Sequence, residues 1–138
     1  IATISNAMDV GNPSNFIRVL ELFHQQLNHL KNILSSYSVN DAATKATISE
    51  VFNQYNYALD PHGAVGYYAL NEYLSQHENY KGFFLETAHP VKFPETVEEA
   101  TNTKIEIPES IKYLFDQEKQ SIKMEASFSE FKEWLMSK

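Results

Sequence analysis

A run of polar side chains directly after a strand-like apolar stretch is the feature that most limits how this chain can fold. Residues 82–85 read Gly-Phe-Phe-Leu, and Thr87, His89 and Lys92 follow within seven positions. In α/β proteins, ligands bind at the carboxyl ends of buried strands, so polar groups at such a point indicate a ligand site more than packing. The pattern therefore predicts an α/β chain with a ligand site close to residue 87.

The rest of the chain predicts mainly helices. From Phe16 to Leu34, apolar residues recur at alternating spacings of four and three, which predicts one helix with a single apolar face. Asn12 or Ser14 is placed to cap it. The other predicted helices each begin at a polar cap or a proline, and they start near Asn40, Asp60, Pro94, Pro108 and Ser127. With short strands expected at 56–59, 82–86 and 105–107, the predicted fold class is α/β but predominantly helical.

Composition narrows the class of protein. At 138 residues we expect a single domain, residues 1–138, in which 117–126 form a surface linker before a final helix. A net charge of −7 argues against nucleic acid or an anionic membrane as a partner. The absence of cysteine excludes a thiolate nucleophile and a zinc–thiolate site. No apolar stretch approaches membrane-spanning length, so we expect a soluble, cytoplasmic protein.

Two of the five histidines lie in positions that are typical of a functional site, and the other three do not. His24 and His29 are five residues apart, which puts them on different helix faces, and we predict no metal site. His62 and His89 each follow a strand-like stretch. Asp60 and Pro61 place a helix N-terminus beside His62, and this is either a plain helix cap or a site for an anionic or polar ligand group.

Three further side chains have two interpretations each. Thr87 either ends a strand or offers its hydroxyl to a ring nitrogen, for which a neutral group is suited. Lys92 is either a Schiff-base lysine, which would need burial to lower its pKa, or a solvated lysine at a helix start. Arg18, the single arginine, either binds a phosphate or is a surface charge. The residues alone leave these alternatives open.

Three segments of the chain together carry a family resemblance. Residues 4–16, 59–67 and 85–93, in this order, resemble the C-terminal third of the threonine synthase family, and Thr-Ala-His-Pro-Val-Lys-Phe at 87–93 is the most specific part. Enzymes of this family depend on pyridoxal phosphate (PLP) and have a tryptophan-synthase-β-like fold (fold type II). They are carbon–oxygen lyases that convert O-phospho-L-homoserine and water to L-threonine and phosphate.

The resemblance implies roles for particular residues. Thr87 would hydrogen-bond the pyridine nitrogen of PLP, and Asp60 would lie near the cofactor ring at a position that is commonly Glu in relatives. The other residues implied to lie in or behind the pocket are Asn12, Asn15, Arg18, His62, His89 and Lys92. The Schiff-base lysine and the phosphate-binding glycine loop lie upstream in the family, so the resemblance implies that Lys92 is not that lysine and that no catalytic residue lies in this chain.

The chain opens at Ile1 without an initiating Met, and we expect it to be a C-terminal fragment of a longer enzyme. Such a fragment is expected to be inactive alone, to bind no PLP by itself and to self-associate through exposed apolar surface. Two alternatives remain. One is another PLP enzyme of the same fold, such as a hydroxyamino-acid dehydratase. The other is a helical interaction module without catalysis, for which a start codon just before Ile1 would be the sign.

Overall fold

The computed structural model describes residues 1–138 and contains seven α-helices and no β-strand. Its contacts divide the chain into two compact units, residues 1–106 and 107–138. The predominantly helical character predicted from the sequence is confirmed. None of the helices has the length and apolar character needed to cross a membrane. The helices are α1 Phe16–Leu22, α2 Leu27–Lys31, α3 Asp41–Tyr55, α4 Pro61–Ser75, α5 Pro94–Thr101, α6 Glu109–Phe115 and α7 Phe128–Met136.

The core of the first unit lies between α3, α4 and α5. It is built from five buried apolar side chains, which are Ile48, Val51, Leu59, Ala64 and Val97. The predicted starts of α3 and α4 are confirmed. The Asn40 side chain accepts a hydrogen bond from the Ala43 amide at 2.8 Å, and Asp60 with Pro61 begins α4. Sequence-local capping therefore places the two longest helices correctly.

The predicted strands are wrong. Residues 56–59, 82–86 and 105–107 have no regular secondary structure, because none of them lies beside another strand with which to form a ladder of backbone hydrogen bonds. Residues 82–88 instead run along α4. The Phe84 ring meets the Tyr67 ring edge-on at 5.6 Å, and Gly82 lies against the side chain of Leu70. This packing brings the polar residues that follow close to the start of α4.

The single long helix predicted from Phe16 to Leu34 is also wrong. His24 and Gln25 have φ values of 50° and 56°, in the left-handed region that a right-handed helix cannot pass through. The chain forms α1 and α2 on either side of this break, and neither Asn12 nor Ser14 caps α1, since the cap position is occupied by Asn15. Leu27 is exposed, so the apolar face is not buried along its length. A helix of this length that does not pack against the rest of the protein is only marginally stable.

The second unit, residues 107–138, contains α6 and α7 and has no fully buried side chain. Ser127 begins α7, as predicted, and its hydroxyl accepts a hydrogen bond from the Glu130 amide at 3.4 Å. Residues 117–126 have no helix and are exposed apart from the half-buried Met124. The single domain and the linker expected from the sequence stay predictions.

Candidate functional site at the start of helix α4

The candidate site is built on Asp60, which caps α4 and is fully buried. Its carboxylate accepts hydrogen bonds from the backbone amides of His62 at 2.9 Å and Gly63 at 3.3 Å. The Nδ1 atom of His62 lies 2.6 Å from the same carboxylate. Pro61 occupies the first helical position, where its missing N–H costs no hydrogen bond. The cap predicted from the sequence is therefore present, and its carboxylate is engaged with its own helix.

The side chain of Glu86 links the segment 82–88 to the cap of α4. The amide of Asp60 donates a hydrogen bond to Oε1 of Glu86 at 3.1 Å. Gly63 leaves the space that the Glu86 carboxyl fills, because a Cβ added to Gly63 would lie 1.9 Å from Oε2 of Glu86. Glu86 was given no role from the sequence. The available signal was that Glu86 is the only charged residue in 82–88, and a charge directly after an apolar run needs a partner.

The two carboxyl groups differ in their affinity for protons. Burial, together with the neighbouring Asp60 carboxyl, raises the pKa of Glu86 to about 7. Burial alone would raise the pKa of Asp60 as well, but hydrogen bonds with Glu86, His62 and Gly63 outweigh it and hold that pKa below its ordinary value. A proton in this site therefore resides on Glu86, while Asp60 is the carboxylate.

The imidazole of His62 completes the cluster. Because Asp60 is a carboxylate, Nδ1 of His62 is assigned as the protonated nitrogen that donates to it. The ring packs against the Phe93 ring with centroids 4.9 Å apart, and only about 10% of the side chain is exposed. Nε2 of His62 is buried and makes no hydrogen bond, and the same is true of Oε2 of Glu86.

The other site residues predicted in the segment 87–93 are all exposed, and one of them caps a turn. Thr87 is exposed, and its hydroxyl makes no hydrogen bond to the protein. His89 caps a 3-10 turn at residues 90–92, since its Nδ1 accepts a hydrogen bond from the Val91 amide at 3.1 Å. Lys92 is exposed beside Thr3 in a shallow surface depression, so it lacks the burial that a Schiff-base lysine needs.

The predicted residues of the N-terminal segment are not brought to this cluster. Asn12, Asn15 and Arg18 are exposed, and no hydrogen bond or ion pair joins them to Asp60, Glu86 or Thr87. Arg18 lines an open, mainly apolar groove on α1 together with Ile17, Glu21, Leu22 and His24. Their roles near the pocket stay predictions.

We expect the free energy of unfolding to fall as pH rises from about 5 to about 7. Folded Glu86 keeps its proton up to about pH 7, whereas the unfolded residue loses it near its ordinary pKa of 4.5, so stability is lost over this interval. One pKa unit corresponds to about 1.4 kcal/mol, and solvent screening at the half-buried Glu86 reduces the expected loss to about 1–2 kcal/mol. Urea unfolding of the chain, repeated at intervals of half a pH unit, measures this loss in the free energy of unfolding.

The matched variants for this titration are Glu86→Gln and Glu78→Gln. Glu86→Gln removes the titrating group and is expected to flatten the slope between pH 5 and 7, while the exposed Glu78 has no such contact and its variant is expected to keep the slope. Asp60, whose pKa is lowered, acts in the opposite direction, and its contribution is lost only as pH falls below about 4. Equal slopes in the wild-type chain and Glu86→Gln would contradict the prediction.

The chain is similar in structure and in sequence to known threonine synthases. The crystal structure of Escherichia coli threonine synthase matches 99% of this chain with a TM-score of 0.86 and 36% identity, and the match covers 31% of that chain. Threonine synthases of Buchnera aphidicola from Acyrthosiphon pisum and of Serratia marcescens are 38% and 39% identical over 138 and 136 residues, which is 100% and 99% of this chain. A PLP-bound threonine synthase from Brucella melitensis, 24% identical with a TM-score of 0.66, supports the fold alone.

The structural match over nearly the whole chain defines the class: this is the fold of the C-terminal region of a threonine synthase. The family described as threonine synthase, C-terminal, matches residues 63–135. The chain belongs to this family. It spans 31% of the length of both the Buchnera and the Serratia relatives.

Proposed function

We propose that this chain forms the C-terminal part of a PLP-dependent threonine synthase, which converts O-phospho-L-homoserine and water to L-threonine and phosphate. The observation that carries the proposal is the similarity to threonine synthases over the full length of the chain. The exposed hydroxyl of Thr87, which has no partner in the protein and directly follows Glu86, supports it. On the same basis we propose a cytoplasmic location for the whole enzyme.

Thr87 fits the pyridine nitrogen of PLP by its chemistry. A free, neutral hydroxyl can hydrogen-bond a ring nitrogen without fixing a charge on it, and no carboxylate competes for this hydroxyl within the protein. PLP, when bound, supplies an electron sink for negative charge that develops on the substrate. Next to Thr87 in the chain, the Glu86 side chain accepts the Asp60 amide and so holds residues 82–88 against α4, while the Asp60 carboxylate binds His62.

We propose that the chain is inactive alone. The Schiff-base lysine and the phosphate-binding loop implied by the resemblance belong to the portion of the relatives that this chain does not cover. Many large apolar side chains are exposed, including Phe83, Ile33 and Phe128, and in isolation they favour self-association. Reduction of the chain with borohydride in the presence of PLP is accordingly expected to label no single lysine stoichiometrically.

The experiment uses the complete reading frame that contains this chain, expressed from its natural start codon. With PLP and O-phospho-L-homoserine, we expect phosphate release coupled to threonine formation. Thr87→Val, which keeps the shape and removes the hydroxyl, is expected to lower kcat/KM by about 10–100-fold, which corresponds to about 1.4–2.8 kcal/mol of transition-state stabilisation. Thr103→Val, at an exposed threonine after α5, serves as the matched control and is expected to leave kcat/KM unchanged.

The outcomes distinguish a failure of the proposed reaction from a failure of the role proposed for Thr87. A folded, PLP-bound enzyme that releases no phosphate would assign the chain to a different reaction of the same fold. Normal activity in Thr87→Val would leave the reaction in place and remove Thr87 from the cofactor site.

A further inference from the structure

We propose that Gly63 is a positioning residue: the space left by its missing side chain sets where residues 82–88 lie along α4, and thereby where the hydroxyl of Thr87 lies. The inference rests on the proposed function, since that function assigns to Thr87 the contact with the cofactor. Gly63 is given no contact with substrate or cofactor of its own. It acts through Glu86, whose carboxyl fills this space.

The segment 82–88 lies on α4 with every second residue turned toward the helix. Residues 84, 86 and 88 are half-buried, whereas 83, 85 and 87 are exposed. Each contact with α4 lies about one helical turn nearer the start of the helix than the contact before it. The contacting pairs are Gly82 with Leu70, Phe84 with Tyr67, and Glu86 with Gly63. A shift of the segment along α4 would therefore break all three contacts.

Side chains, and not the backbone, hold this segment in its place along the helix. Residues 82–88 take part in no backbone–backbone hydrogen bond. The hydrogen bond that joins the segment to the start of α4 runs from the Asp60 amide to Oε1 of Glu86, at 3.1 Å. The contacts made by residues 82 and 84 are apolar, and apolar contacts are not directional. The Glu86 side chain is therefore the specific contact of the segment.

The Glu86 carboxyl fits because residue 63 has no side chain. A Cβ added to Gly63 would lie 2.6 Å from the carboxyl carbon of Glu86 and 2.7 Å from Oε1, closer than non-bonded atoms approach each other. The φ of Gly63 is not positive, so the backbone does not require glycine here. Glycine within a helix lowers its stability relative to alanine. The contact with Glu86 is thus the structural reason for glycine at this position.

Gly66, about one turn further along α4, provides a comparison within the same helix. A Cβ added to Gly66 would lie 3.7 Å from Cβ and Cδ2 of Phe84, which is an ordinary van der Waals contact. Replacement by alanine raises the helix propensity at both glycines to a similar extent. Alanine is therefore expected to displace the segment 82–88 from position 63 but not from position 66.

Displacement of the Glu86 carboxyl is transmitted to Thr87 through the chain. Thr87 is exposed and its hydroxyl makes no hydrogen bond to the protein, so its position follows that of its neighbour. A side chain at position 63 would separate the Glu86 carboxyl from the Asp60 amide and move residue 86 away from α4. The hydroxyl of Thr87 would then leave the position in which it meets the pyridine nitrogen of PLP.

The test measures the affinity of the full-length enzyme for PLP, from cofactor absorbance and fluorescence. We expect Gly63→Ala to weaken PLP binding by about tenfold, since the loss of one hydrogen bond changes an equilibrium constant by up to about this factor. Gly66→Ala is the matched control and is expected to bind PLP within about twofold of the wild type. Equal affinities of Gly63→Ala and Gly66→Ala would overturn the inference.

A double-mutant cycle shows whether Gly63 acts through Glu86. Glu86→Ala removes the side chain that fills the space at Gly63 and is expected to weaken PLP binding by about the same factor of ten. In this background Gly63→Ala has no carboxyl to displace and is expected to change the affinity by less than about twofold. A further loss of about tenfold in the double variant would give Gly63 a role independent of Glu86 and overturn the inference.

Two measurements keep the inference falsifiable where Gly63→Ala fails to fold. Folding of the double variant with Glu86→Ala would identify the clash with Glu86 as the cause and support the inference, whereas an unfolded double variant would overturn it. In the wild-type enzyme, NMR follows hydrogen exchange of the Asp60 amide. Protection that is lost in Glu86→Ala supports the inference, and unprotected exchange in the wild type overturns it.

The remaining outcomes distinguish a failure of this inference from a failure of the proposed function. If the wild type binds PLP and Thr87→Val weakens the binding while Gly63→Ala does not, the positioning role of Gly63 is overturned and the proposed function stands. If the wild type binds no PLP at all, the proposed function fails and the role assigned to Gly63 fails with it.

Discussion

Replacement of Ile48 by alanine is expected to lower the free energy of unfolding by about 3 kcal/mol. Ile48 is fully buried at the centre of the core, on the helix that packs against both α4 and α5. Truncation removes apolar contacts and leaves a cavity that three helices must close around. Because only five side chains form this buried core, each one carries a large share of its stability.

The measurement is urea unfolding of the chain followed by far-ultraviolet circular dichroism. The control is Ile33→Ala, the same change at a side chain that is 78% exposed, where we expect an effect within about 0.5 kcal/mol. A similar loss at both positions would show that the buried cluster around Ile48 is not the core of the folded chain.

Replacement of Asp60 by alanine is also expected to lower the free energy of unfolding by about 3 kcal/mol, and two lost interactions contribute to this effect. The first is the cap of α4, since the amides of His62 and Gly63 lose their acceptor. The second is the contact with His62, whose buried ring loses the carboxylate that it donates to. Relief of the contact with Glu86 offsets part of this loss.

Two comparison variants separate these contributions. Asn40→Ala removes the cap of α3 at an exposed site and is expected to cost only about 1 kcal/mol, the usual value for a lost cap. Asp60→Asn retains an acceptor for the helix amides and is expected to lie between the two. If Asp60→Ala cost no more than Asn40→Ala in the same urea experiment, the buried contact between Asp60 and His62 would add nothing to the stability of the folded chain.

The sequence predicted well what depends on neighbouring residues. A cap at Asn40 or Asp41 and a cap at Asp60 were predicted because a cap bonds amides two or three positions away, and the structure shows Asn40 and Asp60 in these roles. The family was recognised from residues 87–93 and the segments around them, and the match over 63–135 confirms it. Local rules failed between Phe16 and Leu34, where a regular apolar period does not reveal that the chain turns at His24 and Gln25.

Prediction of the site was incomplete for the same reason. Asp60, His62 and Thr87 were singled out by their places in the sequence, but Glu86 was missed because its partner Asp60 is 26 residues away. The strands were wrongly predicted because an apolar run such as 82–85 has the same composition whether it pairs with a strand or packs against a helix. The choice between those two states depends on neighbours that a local pattern does not contain.

By itself, then, the sequence determined the helical character of the chain, the caps of α3 and α4, and the family to which it belongs. These follow from short-range hydrogen bonding and from specific residue runs. Only the tertiary structure decided that α3, α4 and α5 share a core, and that Glu86 lies over Gly63, where its carboxyl accepts a hydrogen bond from the Asp60 amide. Such contacts arise from packing between distant segments, and packing selects which buried polar groups meet and therefore which of them holds the proton.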